Sequence, residues 1–152
     1  MTTGIRLSPK EKRSFLKALG RNAGEKFLAL LPKLNLAASL TFSIGAEAAN
    51  VILVTVQVKN ENNDNLATKV GLRFYLSSDA AGITPATVTT IAAGASGGVT
   101  DATTSSGVLI TTAAGLGIIS LTAGTGAVTR YLNVIMPNGE IVTSSVITWA
   151  AD

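Results

Sequence analysis

The chain contains the segment Val51-Ile-Leu-Val-Thr-Val-Gln-Val-Lys59, which places apolar residues at every second position. In an extended chain, four apolar side chains of this segment share one face: Ile52, Val54, Val56 and Val58. A period of two, rich in β-branched residues, is typical of a β-strand that buries one face. A second alternating run, residues 70–76, follows the turn-forming cluster 60–65. We therefore expect these two runs to form a hairpin-like pair of strands with a polar loop.

The chain after residue 36 repeats this pattern of short strands and turns. Further strand-like runs lie near residues 86–92, 98–104, 108–112, 117–122, 127–136 and 140–149. Asn138-Gly139, between the last two runs, is the preferred pair of a two-residue type I′ hairpin turn. Turn signals roughly every ten residues predict a mainly β chain, with an antiparallel Ig-like β-sandwich over residues 36–152. An OB-type barrel is the alternative architecture.

Residues 1–35 differ in composition and predict a short basic helical N-terminal arm. Ser8-Pro9-Lys10-Glu11 matches a capping box with proline at the first helical position. We expect helices near residues 9–19 and 23–31, followed by the helix-ending residues Gly20 and Pro32. Residues 1–33 hold eight basic and two acidic side chains, a net charge of +6. Residues 34–152 hold four basic and seven acidic side chains, a net charge of −3, so the two parts differ in sign.

The arm supplies the candidate partner-binding residues of the chain. Helices of about ten residues are marginal in water, so we expect the arm to lie on a surface. We interpret it first as a docking arm for another protein. In the alternatives, its apolar residues cover the chain's own sandwich, or its basic residues bind nucleic acid. The candidate residues are Arg6, Lys10, Lys12, Arg13, Phe15, Leu16, Lys17, Leu19, Arg21, Lys26, Phe27 and Leu31.

The composition argues against catalysis, because the chain has neither cysteine nor histidine. The usual hydrolytic triad, thiolate metal sites and the commonest zinc ligand are therefore excluded. Glu61 and Asp64 offer oxygen ligands for calcium, but their spacing does not match an EF-hand, and a solvated turn is favoured. Residues 94–98, Gly-Ala-Ser-Gly-Gly, lack the Lys-Ser/Thr of a phosphate-binding loop. We expect a protein that is not an enzyme and that needs no cofactor or metal.

The hydropathy pattern predicts a soluble protein without a membrane partner. No run approaches the roughly 18 apolar residues that a membrane-spanning helix needs. The apolar stretch 34–44 is interrupted by Asn35, Ser39, Thr41 and Ser43. The apolar residues of the basic N-terminus are spaced around a helix, unlike the continuous block of a signal peptide.

Three segments of the body resemble a group of small virion proteins of tailed bacteriophages. They are Asn50-Val-Ile-Leu-Val-Thr-Val-Gln-Val-Lys59, Arg73-Phe-Tyr-Leu-Ser-Ser-Asp-Ala-Ala-Gly82, and Tyr131-Leu-Asn-Val-Ile-Met-Pro-Asn-Gly-Glu140 with its continuation to Trp149. The resemblance covers residues 48–150, and Met136 stands where leucine is common in the group. Members of that group resemble Ig-like β-sandwiches encoded among the head genes. The basic arm lies outside the resemblance.

The resemblance implies a structural role in the virion. The first expectation is a capsid decoration or cement protein that binds the assembled head, with the major capsid protein or other virion proteins as partners and with homo-oligomeric contacts. Its location would be the virion, assembled in the host cytoplasm. One alternative is a tail or neck component with the same fold. The other, less favoured, is a nucleic-acid-associated protein that uses the basic arm.

Overall fold

The computed structural model describes Lys10 and residues 36–151. The chain divides into two units, residues 1–34 and 35–152, and all ten strands lie in the second. The predicted boundary between residues 35 and 36 stays a prediction. The strands are β1 (Ser39–Ile44), β2 (Val51–Lys59), β3 (Gly71–Ser77), β4 (Thr90–Ala93), β5 (Gly98–Thr100), β6 (Ser106–Ile110), β7 (Leu116–Thr122), β8 (Val128–Ile135), β9 (Ile141–Thr143) and β10 (Ile147–Trp149).

These strands form two antiparallel sheets. The first sheet has the order β1-β2-β7-β4, and the second has the order β10-β8-β3-β6-β5, with β9 also paired to β8. Every pairing between the named strands is antiparallel. The prediction of a mainly β, antiparallel chain is therefore confirmed for residues 36–151. The pairing gives two separate sheets, whereas the alternative prediction was a single closed barrel.

The core lies between the two sheets and follows from the alternation in the sequence. The apolar face of β2 is buried, with Ile52, Val54, Val56 and Val58 at most 2% exposed. Apolar side chains of β3 and β8 in the second sheet belong to the same buried cluster as those of β2 and β7 in the first. Burying an apolar side chain of this size contributes about 1.5–3 kcal/mol, so this shared cluster is the main source of stability.

The expected pairing of β2 with β3 is wrong. β2 pairs with β1 and β7, whereas β3 pairs with β6 and β8 in the other sheet. The reason lies in the connection, because Leu66 is only 1% exposed and its N–H donates to the Val58 carbonyl. The connection thus carries a core residue, and it crosses from one sheet to the other where a hairpin loop would stay in one sheet.

The turn at Asn138-Gly139 also differs from the prediction of a two-residue type I′ turn. Gly139 has φ of +86°, but Asn138 is not among the residues with positive φ, which a type I′ turn requires. The N–H of Gly139 donates to the Met136 carbonyl, and the N–H of Met136 donates to the Glu140 carbonyl. These bonds define a three-residue loop, 137–139. Pro137 fixes a negative φ at the first position, so the left-handed residue comes one place later than a type I′ turn needs.

A turn with positive φ at both central residues occurs instead at Ala49-Asn50. Their φ angles are 51° and 63°, and Ala48 and Val51 exchange two backbone hydrogen bonds across them. The Asn50 carbonyl accepts hydrogen bonds from Trp149 Nε1 and from the N–H of Ala123, both at 3.0 Å. Trp149 is fully buried. The left-handed conformation of an alanine is therefore maintained by contacts from distant parts of the chain.

The run 140–149, expected to be one strand, is two strands. β9 pairs with residues 133–135 of β8, and β10 pairs with residues 128–130, with a register that differs by one residue. Ser144 lies between them, and its Oγ accepts a hydrogen bond from the N–H of Leu132. This one-residue bulge keeps Ile147 and Trp149 directed into the core. The strand expected near 86–92 is shifted to β4, and the one expected over 98–104 is shortened to β5.

Candidate interaction surfaces

The candidate partner-binding residues of the arm lie outside the described residues, with one exception. Lys10 is helical and exposed. Arg6, Lys12, Arg13, Phe15, Leu16, Lys17, Leu19, Arg21, Lys26, Phe27 and Leu31 fall outside the described part of the chain, as do the remaining residues of the two expected helices. The docking role of the arm therefore stays a prediction, and the surfaces that the structure describes belong to residues 36–151.

The polar loop 60–65 is organised as a turn around one side chain. Asn60 Oδ1 accepts hydrogen bonds from the N–H groups of Asn62 and Asp64, both at 3.0 Å. Glu61 and Asp64 are both exposed to solvent. Within the described residues, no three acidic, histidine or cysteine side chains come together in a way that fits a metal ion. The favoured interpretation of this loop as a solvated turn fits its geometry.

The glycines of residues 94–98 serve the close packing of the chain. A Cβ added to Gly97 would lie 2.5 Å from the Ile110 carbonyl oxygen, and φ of Gly97 is +78°. A Cβ added to Gly94 would lie 2.3 Å from Ile118 Cγ2. These residues connect β4 in the first sheet to β5 in the second, so the backbone must pass very close to its neighbours there.

The outer face of the first sheet is almost free of charge. Register places Thr41, Gln57 and Leu116 side by side, and likewise Leu53, Ser120 and Ala92. Lys59 at one end is the only charged residue among the outward positions of these four strands. We call the uncharged outward positions of this sheet the neutral face; they are Ser39, Thr41, Ser43, Val51, Leu53, Thr55, Gln57, Thr90, Ala92, Leu116, Ile118, Ser120 and Thr122.

Strand β1 forms one edge of that sheet. It pairs with β2 only, and the described residues place no strand on its other side. The N–H of Gly45 donates to the Leu53 carbonyl. Because hydrogen-bonded pairs occur at every second residue of an antiparallel pair, the odd-numbered residues of β1 bond to β2. The backbone groups of Leu40, Phe42 and Ile44 therefore point away from the sheet. Residues 36–46 contain no charged residue and no proline, so this stretch lacks two of the features that commonly protect an edge.

The other sheet edges are short or interrupted. β4 has four residues and β5 has three. The edge beside β8 is divided into β9 and β10 by the bulge at Ser144. Short strands and bulges limit pairing with other chains. Among the edges of residues 36–151, β1 is the longest regular strand, with six residues.

A loop on the second sheet, residues 78–85, forms a separate rigid surface. Asp79 accepts hydrogen bonds from the N–H of Thr84 at 2.7 Å and from that of Ile83 at 3.2 Å. These bonds lower the pKa of the Asp79 carboxyl below its ordinary value, and the bond from Thr84 has the largest effect. Tyr75 Oη donates to the Gly82 carbonyl at 3.0 Å. The loop is thereby fixed at both sides of its tip.

A buried polar network supports this loop from below. Asn133 is fully buried; its Nδ2 donates to Ser77 Oγ at 2.8 Å, and its Oδ1 accepts from Thr143 Oγ1 at 2.7 Å. Ser77 Oγ in turn donates to the Asp79 carbonyl at 2.8 Å. Gly82, with φ of +70°, packs against the network. Such satisfied networks stabilise one conformation, and here that conformation exposes 79% of Ile83 at the tip.

Sequence reasoning found neither the loop as a surface nor the open edge. The sequence contains a signal for each. Asp79 followed by Gly82 indicates the loop, and the uncharged run of eleven residues, 36–46, is compatible with the edge. Neither signal identifies a site without the sheet order. Trp149 is buried and Tyr75 and Tyr131 are half-buried, so these three aromatic side chains contribute to the packing of the sheets.

The comparisons with known proteins give no family for this chain. No family model matches, and no curated protein matches. Among solved structures, the chain is similar to a β-glucuronidase of Parabacteroides merdae, with 16% identity and a TM-score of 0.46 over 76% of this chain and 12% of that one. It is also similar to a cohesin module from a family 33 glycoside hydrolase of Clostridium perfringens, with 8% identity and a TM-score of 0.35 over 77% of this chain and 96% of that one.

A third similar structure is MtrC from Shewanella baltica, with 15% identity and a TM-score of 0.33 over 75% of this chain and 22% of that one. The chain thus spans about an eighth of the glucuronidase and about a fifth of MtrC. In the part of the chain that the structure describes, no helix is long and apolar enough to cross a membrane.

Proposed function

We propose that this protein is a structural protein of a tailed-bacteriophage virion, which binds other virion proteins and has no catalytic role. In its first form, the proposal is a capsid decoration or cement protein built on an Ig-like β-sandwich. It rests on the resemblance of residues 48–150 and on one structural observation, the neutral face. Charged residues are depleted at the centres of protein–protein interfaces, and the outward positions of the first sheet have this composition apart from Lys59.

The 78–85 loop supports the same interpretation. Ile83 is 79% exposed on a loop that Asp79, Tyr75 and Asn133 hold in place. A rigid loop loses little conformational freedom on binding, so an exposed apolar side chain on it is well suited to a protein contact. In this proposal the body contributes these contacts, and the basic arm contributes additional ones to the major capsid protein or another virion protein.

Decoration of a head has a simple energetic basis. A protein that binds the assembled shell and not its free subunits stabilises the shell by mass action. Many copies on one lattice also multiply weak individual contacts through avidity. A body with a low net charge allows neighbouring copies to approach each other closely, because their mutual repulsion is small.

The experiment that tests this function uses the full chain and purified heads of the phage that encodes it. We expect the protein to co-sediment with mature heads at a defined copy number, and cryo-electron microscopy to place it on the outer shell. In the arm, Phe15→Ala with Leu19→Ala should weaken attachment more than the matched pair Lys12→Ala with Lys17→Ala, because buried apolar side chains contribute more than exposed charges.

Other outcomes identify the alternatives. Density at the tail or neck would replace decoration with the tail or neck role. If the lysine changes have the larger effect and the protein binds naked DNA with a steep loss of affinity in salt, the nucleic-acid alternative is correct. If the protein is absent from purified particles, the virion proposal is wrong.

A further inference from the structure

We propose that the open edge of β1 pairs with β1 of a second copy of this chain. The two strands run antiparallel, and a twofold axis passes through Phe42. The pairing joins two four-stranded sheets into one continuous sheet of eight strands. It does not depend on the virion role, because it uses only the edge of the first sheet.

The hydrogen-bonding phase of β1 determines which residues an added strand can contact. The outward-pointing backbone groups belong to Leu40, Phe42 and Ile44, since the odd-numbered residues bond to β2. An antiparallel partner must therefore form its hydrogen-bonded pairs at even-numbered positions. When the partner is a second β1, the centred register pairs Phe42 with Phe42 of the second copy, and Leu40 with Ile44 of the second copy.

The side chains of β1 are complementary to themselves in this register. Leu40, Phe42 and Ile44 all point toward the core side, so apolar residues meet apolar residues across the seam. On the outer side, Thr41 meets Ser43 of the second copy, and hydroxyl groups meet hydroxyl groups. Matched cross-strand pairs of this kind stabilise a sheet. The Phe42 rings meet each other on the axis, where aromatic pairs add a further contact.

Two properties of the edge favour a second copy over an unrelated strand. Phe42 and Ile44 are only partly buried at the open side of the core, and the same two residues of a second copy would cover them. The seam also contains no charge on either side, so two copies approach it without like charges facing each other. A strand of six residues gives a small interface, and we expect weak association that is measurable only at high protein concentration.

The first experiment places like charges on the seam. Thr41 and Ser43 are exposed, so Thr41→Lys with Ser43→Lys leaves the folded copy intact but sets lysine opposite lysine twice across the axis. The matched control is Thr90→Lys with Ala92→Lys on β4. It places two lysines at the same spacing on the opposite edge of the same sheet. By sedimentation equilibrium of the full chain up to about 1 mM, the β1 variant should dissociate roughly tenfold more readily than the unmodified chain, and the β4 variant should not.

The second experiment tests the register with cysteines, since the chain has none of its own. Copies with Thr41→Cys are mixed with copies with Ser43→Cys under oxidation. Directly opposed residues at a non-hydrogen-bonded pair have Cα atoms about 4.5 Å apart, within the range of a disulfide. The mixture should form covalent dimers, whereas Thr41→Cys alone places the two cysteine residues roughly 8 Å apart as diagonal neighbours across the axis, beyond the range of a disulfide, and should form few.

Clear outcomes would overturn the proposal. A full chain that stays monomeric at about 1 mM, or an equal loss of association in the β1 and β4 lysine variants, excludes pairing through β1. Equal cross-linking of the mixed and the single cysteine samples excludes the register. Both experiments are carried out on the free protein in solution and involve no heads, so the failure of this pairing is distinguishable from the failure of the virion role.

Discussion

Replacing Gly82 by alanine should destabilise the body more than the same change at Gly139 or Gly98. Two costs add at this position. The first is conformational: with φ of +70°, an L-residue costs about 1–2 kcal/mol, partly offset by the lower entropy of the unfolded chain. The second is steric, since the new Cβ would lie 2.8 Å from Asn133 Oδ1 and 2.9 Å from Tyr75 Oη.

The steric cost is large because neither neighbour is free to move. Asn133 is fully buried and bonded to Ser77 and Thr143, while Tyr75 Oη is bonded to the loop itself. Shifting them weakens hydrogen bonds of about 1 kcal/mol each. We therefore expect Gly82→Ala to lower the free energy of unfolding by about 2–4 kcal/mol, as measured by urea denaturation. A domain of ordinary stability remains folded after such a loss.

Two other glycines separate the two costs. Gly139 has φ of +86° with nothing within 4 Å of an added Cβ, so Gly139→Ala should lose only the conformational part, about 1 kcal/mol. Gly98 has neither positive φ nor a close neighbour, and Gly98→Ala should change stability by less than about 0.5 kcal/mol. Equal losses at positions 82 and 139 would refute the argument that the buried network holds the 78–85 loop rigid.

Three further changes test other parts of the body. Ala49→Gly should stabilise the protein by about 0.5 kcal/mol in urea unfolding, because φ is 51° there, whereas Ala48→Gly should destabilise it. Asp79→Asn should lower stability at neutral pH. Because the pKa of Asp79 is lowered in the folded protein, its stabilising contribution is present above the ordinary carboxyl pKa and is lost as the pH falls through the lowered pKa. Melting curves of the two proteins should therefore converge in acid. Trp149→Phe removes the Nε1 bond to Asn50 and buried volume, and should cost about 2–3 kcal/mol by the same denaturation assay; a loss below about 0.5 kcal/mol would show that Trp149 does not hold the turn.

The sequence predicted the features that depend on local pattern. The alternation in β2 identified its buried face because side-chain period is a property of the strand itself. The turn at Asn138-Gly139 was located correctly but its type was predicted wrongly, because Pro137 holds the first loop position at negative φ and moves the left-handed residue to Gly139. The positive φ of Ala49 has no local signal, because alanine has no preference for that conformation, and the contacts from Trp149 and Ala123 that support it come from 70 or more residues away.

Sheet membership could not be predicted from β2 and β3 alone. Both runs alternate in the same way, and alternation is equally compatible with two strands side by side and two strands facing each other across a core. The deciding residue is Leu66, whose burial requires the connection to pass between the sheets. For the candidate surfaces the limit is similar: an uncharged run such as 36–46 is expected for a central strand as well as for an edge, and only the strand order distinguishes the two.

The two surfaces of the body differ in the kind of contact they offer. The edge of β1 presents mainly backbone groups, which give affinity without much selectivity unless the side chains match. The 78–85 loop presents one apolar side chain, Ile83, from a fixed position, which suits a defined pocket. They lie on different sheets, so pairing through β1 leaves the loops of both copies exposed. A weakly associated pair of copies is therefore a bivalent ligand. On a surface with many equivalent sites, attachment would raise the local concentration of copies that can pair, and pairing would hold a second copy near a free site, so the two interactions would strengthen each other.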